Sequence, residues 1–122
     1  MNINIKATNT ILTDEIRAYV EKRVGGLEKF IKNYGKEIFI QVEVGKTTNR
    51  HISGDIFRTE INIDVSGRNF RAVSEKDSLF ASIDDAEVEL KRELVSYKDK
   101  RQTTFRKGAL KVKEFLKSLG GK

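Results

Sequence analysis

The residue types that do most protein chemistry are scarce in this chain, and what remains is basic. There are no cysteines, so neither a disulfide nor a thiolate metal site can form. The single histidine, His51, falls in a polar stretch between two alternating segments. Metal-independent RNA cleavage needs an acid and a base together, and one loop histidine does not make a pair; an exposed loop residue is the plainer reading. Asp84 and Asp85 are neighbours in a helical pattern, so they point roughly 100° apart and form no paired site. Glu87 and Glu89 read as a solvated face with i,i+4 basic partners. No phosphate-cradling glycine loop, nucleophile elbow or metal-ligand spacing occurs. The inventory opposes an enzyme and points to no cofactor, metal or small-molecule substrate.

The basic groups carry more information. Arg17 and Arg23 border the apolar stripe of a first helical segment. Lys91 and Lys98 lie seven apart on one flank of a second; Arg92 faces away from its stripe, and Lys98, Lys100 and Arg101 crowd its end. Helices lying side by side would bring these groups to the groove between them. Such a groove suits RNA phosphates and 2′-hydroxyls, read by shape rather than sequence. An ordinary charged surface is the alternative. The strands offer no aromatic platform, so stacking of single-stranded bases is not expected.

Two helical patterns and four alternating ones must position these residues. Ile3, Ile5 and Ala7 alternate as a short strand. Thr13-Asp14-Glu15 is a helix start, and Ile16, Val20, Val24, Leu27 and Ile31 follow as one stripe of a helix of about five turns. Gly25 and Gly26 fall inside it, and Asn33-Tyr34-Gly35 ends it. Ile38 to Val44 and Phe57 to Val65 alternate as two strands separated by a polar connection. Ser66-Gly67-Arg68-Asn69 is a turn signal, and Phe70 and Ala72 open a short fourth strand. Ser74 with Asp77 resembles a capping box, ahead of the stripe Leu79, Ile83, Ala86, Leu90, Leu94 and Tyr97. The order β-α-β-β-β-α, with polar Gln41, Glu43, Arg58, Glu60, Asn62 and Asp64 on the other strand face, predicts an α+β fold. A four-stranded, mostly antiparallel sheet carries two helices on one face, as in double-stranded-RNA-binding domains.

Charge is divided along the chain. Residues 1–89 hold 13 basic and 15 acidic side chains, residues 90–122 hold 11 and 3, and the whole carries +6. A near-neutral body with a basic end points to a polyanion such as RNA; a solubilising tail is the competing view. Residues 1–102 read as one domain and 103–122 as a basic amphipathic tail, in which Phe105, Ala109, Val112, Leu116 and Leu119 recur at helical spacing. That tail either docks on the domain or a partner, or frays. No apolar run approaches the roughly 18 residues of a membrane span, and Met1 to Lys6 lacks a signal-peptide pattern. The expectation is a cytoplasmic chain without membrane attachment.

Longer motifs carry a family resemblance. Ile11-Leu12-Thr13-Asp14-Glu15-Ile16-Arg17, then Leu27-Glu28-Lys29-Phe30, resembles the first helix of the ribosome hibernation-promoting factor family (protein Y, ribosome-associated inhibitor). Phe80-Ala81-Ser82-Ile83-Asp84 resembles its Tyr-Ala-Ala-Ile-Asp motif, and Leu90 to Leu94 and Tyr97 to Lys100 are similar to the rest of its second helix. The likeness covers roughly residues 1–101. It implies a bacterial protein that binds small-subunit rRNA in the mRNA and tRNA channel, across the A and P sites of the 70S ribosome. Such a protein blocks translation sterically in starvation, stationary phase or cold stress. Away from the ribosome a monomer is expected.

By matching position, Arg17, Arg23, Arg92, Lys98 and Lys100 are the implied rRNA contacts; Arg71, Lys91 and Arg101 join them from local charge. The sequence departs from the family at Ser78, where an acidic residue is usual, at Glu89 and Gly26, where lysine is common, and at Val95 and Ser96. The domain's own basic surface is thereby thinner, and the tail's lysines are a candidate compensation. The chain ends about 20 residues past the second helix, too soon for the family's additional ribosome-pairing domain, so the short form is expected. A generic duplex-RNA module and a protein-interaction module are the competing readings.

Overall fold

The computed structural model describes residues 2–47 and 54–97. Strand β1 (Asn2–Thr8) leads to helix α1 (Asp14–Gly25), a one-turn helix α2 (Glu28–Ile31) and a 3-10 turn at Lys32–Tyr34. Strands β2 (Ile38–Lys46), β3 (Phe57–Val65) and β4 (Arg68–Lys76) follow, and helix α3 occupies residues 79–97. The sheet order is β1-β2-β3-β4. β1 pairs parallel to β2, whereas β2–β3 and β3–β4 are antiparallel. The parallel pair follows from connectivity, because a chain that crosses the sheet through a helix returns in the same direction. The fold is the expected β-α-β-β-β-α.

The alternation along β2 and β3 decides which face is covered. Ile40, Val42, Val44, Ile61, Ile63 and Val65 are all buried and meet Val20, Val24, Leu27, Ile31, Ile83, Leu90 and Leu94 from the helices in one core. Two buried hydroxyls interrupt it. Ser82 Oγ donates to the Leu79 carbonyl at 2.7 Å and lies 2.7 Å from Thr59 Oγ1. With its own proton committed, Ser82 accepts from Thr59, and both polar groups are satisfied. No helix of the described residues is long and apolar enough to cross a membrane.

Three local features differ from the sequence expectation. The first helix is not continuous through Ile31. Gly26 keeps right-handed backbone (φ −65°, ψ −14°) as the cap of α1. Beyond it Leu27 N bonds the Val24 carbonyl and Phe30 N the Leu27 carbonyl, both at 2.9 Å. Two glycines weaken a helix by about 1 kcal/mol each, and the tighter three-residue bonds take over there while Leu27 and Ile31 stay in the core.

The β3–β4 turn is only Ser66-Gly67, both at positive φ (51° and 80°), with Val65 facing Arg68. That is the two-residue hairpin whose twist suits antiparallel strands, so β4 begins at Arg68. It also runs on to Lys76, and Ser74 is a strand residue rather than a helix cap. The start of α3 is held by Ser78, whose Oγ accepts from Ala81 N at 3.4 Å. By contrast Thr13 caps α1 as expected, accepting from Ile16 N at 3.2 Å.

An aromatic cluster anchors the far end of α3. The rings of Tyr34, Phe70 and Tyr97 lie 5.4 to 5.8 Å apart, centroid to centroid. The Tyr34 hydroxyl donates to the Leu94 carbonyl at 3.0 Å. Arg68 sits over the Tyr97 ring at 5.2 Å and donates to its hydroxyl.

Gly45 faces Thr8 in the parallel pair, and a Cβ built there would lie 2.0 Å from the Thr8 carbonyl oxygen. Gly25 has nothing within 4 Å of that position. Urea unfolding should therefore separate them: Gly45→Ala loses about 1–3 kcal/mol through overpacking against backbone, and Gly25→Ala gains up to about 1 kcal/mol of helix stability. Equal midpoints for the two variants would contradict the β1–β2 register.

Candidate nucleic-acid interface

Spacing on two helices sets up a polar clasp along their shared flank. Tyr19 and Arg23 stand four apart on α1; Phe80, Asp84 and Glu87 stand four and three apart on α3, so each set lies on one side of its helix. The Tyr19 hydroxyl donates to Asp84 Oδ1, and its ring meets Phe80 edge-on at 4.9 Å. Arg23 reaches the same carboxylate with Nε at 3.0 Å and Glu87 Oε2 with Nη2 at 3.1 Å. The buried Nε makes no hydrogen bond; it faces Asp84 off the required direction and is held by charge. Asp85 turns to the opposite flank, where it accepts from Ser74 Oγ at 2.6 Å and lies 4.0 Å from Lys76. The adjacent carboxylates thus serve different neighbours, as helical geometry requires.

Glu87 corrects the sequence reading. It is not a solvated i,i+4 partner but only 12% exposed, holding Arg23 across the helix interface. Glu89 does face solvent, paired with Arg92 at 2.7 Å.

The five candidate RNA contacts among the described residues divide into three groups. Arg23 lies in the clasp and fills the seam between α1 and α3, so that seam is not an open cationic groove. Arg71, on the uncovered sheet face, binds Glu60, which also lies 3.6 Å from Arg58. Arg71 and Arg92 line one open groove of about 430 Å³ beside α3. Arg17 and Lys91 are exposed and meet no carboxylate among the described residues. The Lys91 ammonium lies 5.3 Å from the Phe30 ring, and Lys29 lies 5.2 Å from the same ring. Lys98, Lys100 and Arg101 lie outside the described residues, as do His51 and the 103–122 tail.

Sequence reasoning missed Tyr19, Lys29 and Phe30. The four-residue spacing of Tyr19 and Arg23 and the three-residue spacing of Asp84 and Glu87 on the other helix were the signal available for the first. A further correction concerns the uncovered sheet face, which does carry one aromatic: Phe39 is 52% exposed there. Among the described residues no group of three or more His, Cys, Asp or Glu side chains could hold a metal ion.

Comparison with known proteins adds the following. The model of the family described as Sigma 54 modulation protein / S30EA ribosomal protein matches residues 3–102. A ribosome hibernation promotion factor of Lactococcus lactis is 31% identical over 98 residues, 80% of this chain and 50% of that protein. The ribosome hibernation promoting factor of Salmonella typhimurium is 28% identical over 100 residues, 82% of this chain and 96% of that protein. The chain thus spans about half the length of some curated relatives and nearly all of another. The crystal structure of the Thermus thermophilus Protein Y N-terminal domain superposes with a TM-score of 0.64 at 28% identity, covering 80% of this chain and 99% of that one. A ribosomal subunit interface protein from Coxiella burnetii, 16% identical with a TM-score of 0.67, shares the fold.

The hydrogen bond to Asp84, burial and the Asp84 charge together hold the Tyr19 phenol above its usual value of 10.0, against a smaller lowering by Arg23. The folded chain therefore keeps this proton after the unfolded chain has lost it. Stability is fully present below the unfolded value and declines as pH rises past it. Urea midpoints measured from pH 9 upward should fall more steeply for the natural chain than for Tyr19→Phe. Parallel curves would show that Asp84 does not hold the phenol.

Proposed function

The chain belongs to the Sigma 54 modulation protein / S30EA ribosomal protein family, and on that premise we propose that it is a ribosome hibernation factor acting in the bacterial cytoplasm. It binds the small subunit, alone and within the 70S ribosome, and occupies the channel used by mRNA and by tRNA at the A and P sites. Translation is thereby blocked sterically under stress. The observation that carries this reading is the extent of the family match, residues 3–102, which runs from within β1 to beyond the described end of α3.

Electrostatics assign different parts to the basic side chains. Arg17 and Lys91, exposed and without a carboxylate among the described residues, are the readiest phosphate contacts, and Lys29 adds charge beside Lys91. Arg71 and Arg92 are 56% and 69% exposed in their ion pairs. Surface pairs of this kind contribute about 0–1 kcal/mol, so a phosphate can replace the carboxylate. Arg23, 34% exposed and shared by two carboxylates, fixes the spacing of the helices rather than reaching RNA. Lys98, Lys100, Arg101 and the lysines and arginine of residues 103–122 follow α3 in sequence and add positive charge to the chain.

Co-sedimentation with vacant ribosomes on a sucrose gradient tests this directly. Stoichiometric migration with the small subunit and with 70S ribosomes is expected, and it should be lost when mRNA and tRNA fill the channel. Contact with ~6–10 phosphates would weaken binding roughly 10³–10⁵-fold between 50 and 200 mM salt. Arg17→Glu and Lys91→Glu should each lower affinity about tenfold and reduce the salt slope by about one, and removing residues 103–122 should weaken binding further. Free RNA duplexes bound as tightly as ribosomes would replace this reading with a generic duplex-RNA module.

A further inference from the structure

Strand β4 ends the sheet order β1-β2-β3-β4 and has no partner on its outer side among the described residues. Edge strands are ordinarily kept single by bulges, prolines, shortness or repelling charges. β4 is nine residues long, its register with β3 runs from Arg68 to Lys76 without a bulge, and the chain contains no proline. In a two-residue hairpin the flanking pair, here Val65 and Arg68, exchanges both hydrogen bonds, and such pairs recur at every second residue. The even-numbered residues of β4 therefore bond β3. Asn69, Arg71, Val73 and Glu75 turn their amide and carbonyl groups outward.

We propose that this edge pairs with β4 of a second copy of this chain, joining two four-stranded sheets into one continuous sheet. Antiparallel pairing centred on Val73 sets Val73 against Val73 and Arg71 against Glu75 of the second copy, twice by symmetry. Opposite charges directly across an antiparallel pair attract. Val73 is 39% exposed between them, and Glu75 has no ion-pair partner among the described residues. Centring on Arg71 would oppose like charges, and centring on Ala72 would set Arg71 against Val73. The charges thus select one register and one partner. The opposite edge offers no such match, because β1 turns Asn2, Asn4, Lys6 and Thr8 to the same face, a single charge of one sign.

Helix α3 fits the same axis. Tyr97 meets Phe70, and Asp85 accepts from Ser74, so α3 runs antiparallel to β4. At rises of about 1.5 Å per helical residue and about 3.3 Å per strand residue, Leu90 is level with Val73. Val73 faces away from the helices, so the twofold axis is normal to the sheet and both copies carry their helices on the same side. That axis brings Glu89 of one copy level with Arg92 of the other. Both residues line the open groove beside β4 with Arg71 and Val73, and their pairing within one chain is exposed, so it is exchangeable for a pairing across the axis. A second copy covers this groove, in place of the monomer expected away from the ribosome. Lys91 leans on Phe30 at the other flank of α3, and the proposal does not rest on the ribosome reading.

Sedimentation velocity of the full chain from about 1 µM to about 1 mM, at low salt and without ribosomes, tests this. One strand pair and one helix flank make a small interface of the weak class, so dimers should appear in the upper part of that range. Arg71→Glu and Glu75→Arg should each set like charges across the axis and weaken the dimer about tenfold or more. An equal mixture of the two variants restores the match, because one copy then presents two arginines and the other two glutamates. The mixture should form heterodimers about as tightly as the natural chain pairs, with circular dichroism checking that each variant is folded. In the natural chain the Arg71, Val73 and Glu75 amides should gain protection from hydrogen exchange as concentration rises, whereas those of Ala72 and Ser74 stay protected throughout. That readout needs no variant. A monomer at every concentration would overturn the proposal. So would a dimer that survives both variants, or a mixture that associates no better than either variant alone.

Discussion

A sheet whose inward side chains are Ile40, Val42, Val44, Ile61, Ile63 and Val65 has to hide one whole face from water, and among the described residues helices α1, α2 and α3 hide it. Burying such side chains contributes roughly 1.5–3 kcal/mol each, far more than any ion pair on this surface. Everything else is arranged around that requirement. The helices must lie side by side, and their flanks must be compatible. The clasp of Tyr19 and Arg23 with Asp84 and Glu87 is what makes the flanks compatible. It lets charged groups sit at the margin of the core with their partners provided.

The same arrangement explains why the basic character of the domain is uneven. Carboxylates on α3 occupy Arg23 and Arg92, and Glu60 occupies Arg71. Counting arginines in the sequence therefore overstates the positive potential of the folded domain, whereas Arg17, Lys29 and Lys91 keep theirs. A polyanion approaching this body meets separated points of charge rather than a continuous groove. That favours a target of defined shape over an indiscriminate one.

Most of the fold was legible because two periodicities, two and about 3.6, are cleanly written in the chain. Ile38 to Val44 and Phe57 to Val65 could hardly be anything but strands buried on one side, and the stripes of the two helices named their own core residues. What was not legible depended on neighbours distant in sequence. Ser74 looked like a cap because local spacing cannot report that β4 still has a partner strand there. Glu87 looked solvated because its cation, Arg23, sits on another helix. Phe39 was passed over because a single outward ring is not a pattern, and its setting among amides from the other three strands exists only in register. For the basic side chains, sequence located the positive charges but not the carboxylates that neutralise them.

The parallel pairing of β1 with β2 also differs from the other two in what it costs to close. β3 and β4 are joined by two residues, so their pairing closes a minimal loop. Asn2 and its partner Phe39 are 37 residues apart, with α1 and α2 between them. Loop closure becomes more expensive in entropy as the loop grows, and contacts of long sequence separation are the slow ones. The β1–β2 pairing is therefore the costliest of the three strand pairings in chain entropy. Without β1 the outer edge of β2 would have no partner strand, so this long-range pairing is also what closes that edge of the sheet.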